Sequence, residues 1–579
     1  MSLLVIALAS VVFLVLAYRV YGGLLARLFR LRSDVRTPAV ELQDDVDYIP
    51  TDPRYLVGQH FSAIAAAGPI VGPILAGVAF GWLPTLLWIL LGAVLVGGVH
   101  DFAALVASVR HKARSIAEVI REHMTRRSYV LFLSFVWLAI VYIVVAFTDI
   151  VASSFVGIQT LENGTTVSGG GIATSSLLYL ALPVAMALLM RYAKLSLRWA
   201  TLIFLPLVGV AIWVGQYIPF DLARLLHVTD ADAAKVWDVA LLAYCFVASI
   251  VPMWILLQPR GHLGGFFLFI ALAGGLLGIL LGGQTVRYPA LVGWSSRAGE
   301  PLFPMLFITV ACGACSGFHA LVASGTTSKQ LRRETDAKPI AYGSMLLEAL
   351  VAVVSLACVM MLPANSTVLK GPLKPNLIYG MGMSRFLEVL GIPAAFGISF
   401  GLLAFTTFVY DTLDVSTRLG RYILQELVGW KGRGGRYLAT ALTAGAPLFL
   451  VLQKVTDASG NPRPAWSVFW PLFGASNQLL AALTLIGITV WVARVYKARW
   501  VWLVTGLPTL WMYVMSTWAL LRLIKGGFFT ADGQFKGLVP DAPTVIAVVL
   551  VALAVLLLVE MVAVLGGMRR SAAAPTSAS

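Results

Sequence analysis

Charge is what this chain has least of: only 12% of its 579 residues are Asp, Glu, Lys or Arg, while 59% are hydrophobic and mean hydropathy is +0.87. No water-soluble core absorbs that share of apolar sequence, so the composition excludes a soluble domain and implies an all-α polytopic membrane protein. Cysteine is scarce too. Cys245, Cys312, Cys315 and Cys358 all fall inside apolar runs, which excludes a disulfide framework. No Gly-x-x-x-x-Gly-Lys-Ser/Thr loop occurs, so transport driven by nucleotide hydrolysis on this chain is not expected. Met1 to Ala17 has no basic stretch before it and no small-residue cleavage site, and reads as a retained first span. The net charge of +15 would suit a nucleic acid if it lay along one face. It is instead scattered over short segments between apolar runs, so no nucleic-acid partner is expected.

Fifteen runs are apolar enough to be spans: 1–17, 63–81, 86–109, 129–156, 174–190, 199–217, 237–257, 264–283, 303–323, 341–362, 391–417, 437–453, 466–493, 500–521 and 543–567. With the N-terminus outside, the inside segments hold 30 of the 42 Lys and Arg, which under the positive-inside rule predicts a periplasmic N-terminus and a cytoplasmic C-terminus. The chain then divides into a first helix (1–30), a cytoplasmic loop (31–61), a core (62–425), further C-terminal spans (437–567) and a small-residue tail (571–579) expected to be disordered. The loop around Glu162-Asn163-Gly164 and Ser168 to Gly171 reads as a flexible outside turn.

The second run carries Gly68-Pro69 and Gly72-Pro73, which predict a doubly interrupted helix. In lipid, backbone groups freed by a break are tolerated only beside protein or a cavity, so such a span is expected to hold a substrate or ion. The seventh run breaks at Ser249-Ile-Val-Pro252. Two broken runs five spans apart predict a LeuT-like five-plus-five inverted repeat, spans 2–6 and 7–11, with extra N- and C-terminal helices. The ninth run, Cys312-Gly-Ala-Cys-Ser-Gly-Phe-His319 followed by Ser324-Gly-Thr326-Thr327-Ser328, would then face the second. Cys312, Cys315 and His319 lack the second ligand pair a metal centre needs, so no metal is expected. Small residues there suit close helix packing, and the hydroxyls either bond back to their own helix or serve a hard cation. Tyr410, Asp411, Asp414 and Arg418 share one helical face, as a shared-proton site or a salt bridge.

Several stretches together resemble one family. Gly58-Gln-His60-Phe-Ser-Ala-Ile-Ala-Ala-Ala-Gly68-Pro-Ile-Val-Gly-Pro73, Gly98-Val-His-Asp101-Phe, the run from Gly313 to Ser328, Tyr342-Gly343 with Glu348, Asp411-Thr-Leu-Asp414-Val-Ser-Thr-Arg418 and Trp470-Pro-Leu-Phe-Gly-Ala-Ser-Asn477-Gln478 are similar to the carbon starvation protein A family, from about Asp45 to Leu485. The resemblance implies a bacterial inner-membrane carrier tied to uptake of peptides or pyruvate under nutrient limitation, with kinship to the amino-acid/polyamine/cation superfamily. Gln59 stands where a second histidine is expected and His100 where glutamine is expected, which leaves substrate and proton route open.

The expectation is therefore a secondary active symporter for a peptide or pyruvate-like carboxylate, or alternatively a membrane nutrient sensor for the same ligand; an enzyme is not expected. Substrate is assigned to Ala67, Gly68, Pro69, Gly72, Tyr142, Ser249, Pro252 and Trp254, its carboxylate on backbone N–H groups after Gly68 or near Pro252. The coupling ion is H⁺ or Na⁺, leaning to H⁺, with no other cofactor. A sodium cage would draw on Ala65, Ser324, Thr326, Thr327 and Ser328, and a proton on His319, Glu348 or Asp411. His60, His100, Asp101, Asp149, Asp414, Arg418 and Asn477 are given structural or gating roles.

Overall fold

A computed structural model describes residues 2–44, 48–160, 166–370, 373–453, 463–530, 533–536 and 541–573. Among them the chain is helical, apart from one short ribbon pairing Ile158–Thr160 with Thr166–Ser168. In order, the principal helices are α1 (Leu3–Leu28), α2 (Pro53–Ile64), α3 (Gly68–Phe80), α4 (Trp82–Arg110), α5 (Arg126–Ser154), α6 (Gly169–Tyr192), α7 (Leu197–Tyr217), α8 (Asp230–Ile250) and α9 (Leu257–Leu281). There follow α10 (Leu302–Thr309), α11 (Phe318–Gly325), α12 (Glu334–Met360), α13 (Pro375–Glu388), α14 (Ala394–Val428), α15 (Gly432–Val451), α16 (Ala465–Tyr496), α17 (Trp502–Phe528) and α18 (Ala542–Ala573).

Among the described residues, twelve helices are long and apolar enough to cross a membrane, and the bent pair α2–α3 makes thirteen. The chain is thus a multi-pass membrane protein. The two other expected runs fall on α10–α11, split into two eight-residue pieces, and on α15. The long run at 391–417 lies within a single helix of 35 residues, α14.

Asp52 starts α2, its carboxylate accepting from the Arg54 N–H at 2.9 Å, with Pro53 in the first helical position. Residues 53–61 of the expected 31–61 loop are therefore helix. The second run breaks once rather than twice: α2 and α3 meet at a 49° bend over 65–67, while Pro73 sits inside a continuous α3. The break expected in the seventh run is a helix end, because α8 stops at Ile250 and Pro252 lies in the connector before α9. The second broken membrane helix is α10–α11, parted at 310–317. Ser168 ends a strand and Gly169 starts α6, whereas 161–165 lie outside the described residues. The expected tail is helical to Ala573, and 574–579 lie outside the described residues.

One end of the bundle gathers the Arg-rich connections. There Arg110 donates to the carbonyl of Phe29 at 2.7 Å and to Glu334 at 2.6 Å, and Tyr496 donates to the same Phe29 carbonyl at 2.8 Å. Ile49 and Thr51 bond to the backbone of Lys329 and Gln330. These contacts tie the ends of α1, α4, α12 and α16 together. At the opposite end, Leu3 bonds to Gln284 and Val292 to Phe80. The alternation of helix ends thus follows the alternation of charge along the sequence.

Candidate functional site

The two broken helices cross at their breaks. A Cβ on Gly68 would lie 2.3 Å from the Cys312 sulfur, and one on Gly72 would lie 2.5 Å from the Thr309 carbonyl oxygen. Glycine is required here because the crossing leaves no room for a side chain. The break in α10–α11 is held by α16: Asn477 Oδ1 accepts from the Phe318 N–H at 3.1 Å, and Gln478 Nε2 donates to the Phe307 carbonyl at 2.6 Å. Trp88 Nε1 adds a bond to the Val310 carbonyl at 3.0 Å. Backbone groups freed inside a bilayer are thus met by side chains of neighbouring helices. Asn477 therefore supports the break.

A cavity of about 430 Å³ opens at the Arg-rich end and runs inward between α9, α11 and α14. A smaller one of about 80 Å³ shares Gln258, Thr326, Gln330 and Val415 with it and ends on Ser62 and Asp411. At this floor lies a fully buried cation, Arg260. Its Nε donates to Asp411 Oδ1 at 2.7 Å, its Nη2 to the Tyr410 carbonyl at 2.8 Å, and its Nη1 lies 2.5 Å from Asp414 Oδ2 and bonds to Tyr244. Ser62 donates to the second oxygen of Asp411 at 2.7 Å, and Tyr244 donates to Asp414 at 2.8 Å. Gly264 permits this approach, since a Cβ there would fall 2.5 Å from Asp411 Oδ2. Two carboxylates against one guanidinium leave the centre short of one positive charge, and Asp414 Oδ1 has no hydrogen-bond partner.

A second buried centre joins α4, α11 and α12. Asp101 accepts from His100 Nδ1 at 2.7 Å and from His319 Nδ1 at 2.8 Å, and His319 Nε2 faces Glu348 at 3.3 Å. All four side chains are fully buried. His60 Nδ1 lies 2.8 Å from Thr327 Oγ1 on the neighbouring turn, with its Nε2 unpartnered.

The remaining sequence-assigned residues disperse. Asp149 joins Lys235 at 3.4 Å and accepts from the Trp466 N–H at 2.8 Å, next to α8, α15 and α16. Ser324, Thr326 and Ser328 donate to the carbonyls of Ala320, Val322 and Ser324, so three of the four hydroxyls turn back on their own segment. Gly68, at the end of the Ala65–Gly68 stretch, packs against Cys312. Arg418 does not pair with Asp411 or Asp414. Its Nη2 donates to the carbonyls of Ala248 and Val251 at 2.6 and 2.7 Å, closing the end of α8. The N-terminus of α3, with Ala67, Gly68 and Pro69, is buried in the helix crossing, which leaves no room for a carboxylate. Ser249 is buried at the end of α8, while Pro252 and Trp254 line the mouth at the Arg-rich end. Tyr142 stacks on Phe469 at 6.3 Å, between α5 and α16. Among the described residues only His111, Glu122 and His123 bring three metal-capable side chains together, and Cys312, Cys315 and His319 do not.

Arg260, Ser62, Tyr244 and Gln478 are the functional candidates that the sequence reading missed. Arg260 lies in Gln258-Pro-Arg-Gly261, a stretch that looks like a connection until α9 is seen to begin at Leu257. The signal available was the unmatched pair Asp411 and Asp414.

The pyruvate/proton symporter BtsT of Escherichia coli K12 is 32% identical over 92% of this chain and 84% of its own length. The peptide transporter CstA of the same organism is 31% identical over 92% of this chain and 84% of its own length. Among solved structures, a mutant of the Eremococcus coleocola manganese transporter aligns over 91% of this chain and 99% of its own, at 13% identity and a TM-score of 0.45, too distant to bear on the fold. These named relatives are transporters, not enzymes. The sequence model described as "Carbon starvation protein CstA" matches residues 1–374 and 367–519, and the chain belongs to that family.

Proposed function

We propose that the chain is a proton symporter that imports a small carboxylate nutrient, pyruvate or a short peptide, across the bacterial inner membrane during carbon starvation. The observation that carries this reading is the buried Arg260 between Asp411 and Asp414 at the floor of an open cavity. A fixed guanidinium occupies the position a sodium ion would need between these oxygens, so a proton is the cation the centre can still accept. Protonation of Asp411, which lines the cavity, would loosen its hold on Arg260 and present positive charge to an incoming carboxylate. Proton and anion then favour one another's binding, which is the linkage a symporter requires. His319 and Glu348 offer a second place for the proton, between the broken α11 and α12.

An inverted repeat of different membership from spans 2–6 and 7–11 supports the carrier reading. One set is α2–α3, α4, α5, α8 and α9, and the other is α10–α11, α12, α14, α15 and α16. Each set's long third helix, α5 or α14, packs against the fourth helix of both sets, and each fifth helix, α9 or α16, packs against the third helix of the other. The broken members cross antiparallel, Gly68 meeting Cys312 and Gly72 meeting Thr309. The α6–α7 hairpin is then an insertion. Binding at the interface of such repeats, with the repeats rocking around it, is how carriers alternate access.

Radiolabelled pyruvate and peptide uptake into proteoliposomes tests the reading. Uptake of one of them should rise as external pH falls, collapse with a protonophore and persist when choline replaces sodium. Uptake lost in sodium-free buffer at fixed pH, and indifferent to the protonophore, would overturn proton coupling.

A further inference from the structure

We infer that the Arg-rich end of the bundle carries a binding site for a phosphate-bearing anion, separate from the cavity floor. A recess of about 640 Å³ lies between the end of α6, the α8–α9 connector, α14 and α15. Four arginines line it, Arg191, Arg418, Arg421 and Arg436, and no Asp or Glu does. Among the described residues none of the four forms an ion pair. Arg421 is only 3% exposed, and its guanidinium lies over the Tyr422 ring at 4.4 Å with Nε unpartnered. Arg418 uses Nη2 on two carbonyls and leaves its own Nε without a partner, as does Arg436. Arg191 stacks on Trp254 at 4.2 Å, which fixes its plane at the rim.

Buried cations without counter-ions are costly, and close like charges add to the cost. Two features decide the ligand class. A monovalent carboxylate would answer one guanidinium fork, whereas a phosphate offers several oxygens to three or four. The recess also sits where helix ends meet the polar region of the bilayer, within reach both of anionic lipid headgroups and of soluble phosphates. The inference does not depend on transport, because the recess does not include Arg260, Asp411 or Asp414.

Native mass spectrometry of delipidated, detergent-purified full chain tests it, with phosphatidylglycerol, phosphatidylcholine and glycerol 3-phosphate as probes. Phosphatidylglycerol should bind at least about tenfold more tightly than phosphatidylcholine, and Arg421→Gln or Arg436→Gln should each remove that margin. Glycerol 3-phosphate bound with the same arginine dependence would support the site and assign it to soluble phosphates; its failure to bind beside lipid retention would assign it to headgroups. Arg436 is half-buried at the rim, so its variant carries the test if Arg421→Gln fails to fold. Equal binding of all probes, or variants that bind as the parent does, would overturn the site.

Discussion

Arg260 shows how much one buried charge can decide. Desolvating a guanidinium and two carboxylates is repaid only by close geometry, and removing one member of such a group typically costs about 3–5 kcal/mol. Arg260→Gln is expected to lower thermal stability in detergent by that order and to abolish uptake. Combining it with Asp411→Asn and Asp414→Asn removes the stranded charges together, and should restore stability without restoring uptake. A triple variant that transports normally would place the coupling proton elsewhere, with the His319–Glu348 pair the remaining candidate. Asp414→Asn alone leaves Asp411 and Arg260 matched, and should fold while losing the rise of uptake at low pH.

For the elements, the crossing of the two broken helices governs. Gly68 faces a side chain, Cys312, whereas Gly72 faces the backbone of Thr309. The two glycines should therefore respond differently to repair. Gly68→Ala is expected to impair folding, and Cys312→Gly in the same chain to recover much of it, as measured by monodisperse yield and melting temperature. No side-chain change at 309 should rescue Gly72→Ala, because the obstacle is a carbonyl oxygen. Rescue of both, or tolerance of both, would show that the crossing is looser than described. Close packing at the crossing by itself requires glycine at both positions.

Taken whole, the molecule presents its Arg-rich connections at one end, and orientation follows from which side of the membrane holds them. The charge asymmetry predicts that Lys431 is cytoplasmic and Arg297, in the α9–α10 connection, periplasmic. Single cysteines at the two positions, in a background with Cys245, Cys312, Cys315 and Cys358 replaced, should label differently with an impermeant maleimide. Arg297→Cys should react in intact cells, and Lys431→Cys only after permeabilisation. The reverse pattern would invert the carrier and turn the open cavity toward the periplasm.

Composition, span positions and charge alternation were legible from the sequence because hydropathy acts locally, run by run. The motif around Gly68, the acids at 411 and 414 and the small-residue stretch near 312–319 stood out for the same reason, since each breaks a local rule. Pairings between distant segments did not. Nothing near Gln258 announces that Arg260 lies inside the membrane, and nothing near Asp411 says that its partner is Arg260 rather than Arg418, two turns away. The same limit hid the second broken helix: Pro252 looks like a break but ends a helix, whereas the glycines at 313 and 317 part α10 from α11 because α16 supplies Asn477 and Gln478 to the freed backbone. Sequence alone determined that this is a helical membrane protein with broken spans and buried charge. Which breaks meet, and which charges pair, was decided by helix packing, because a buried group takes the partner that the fold brings to it.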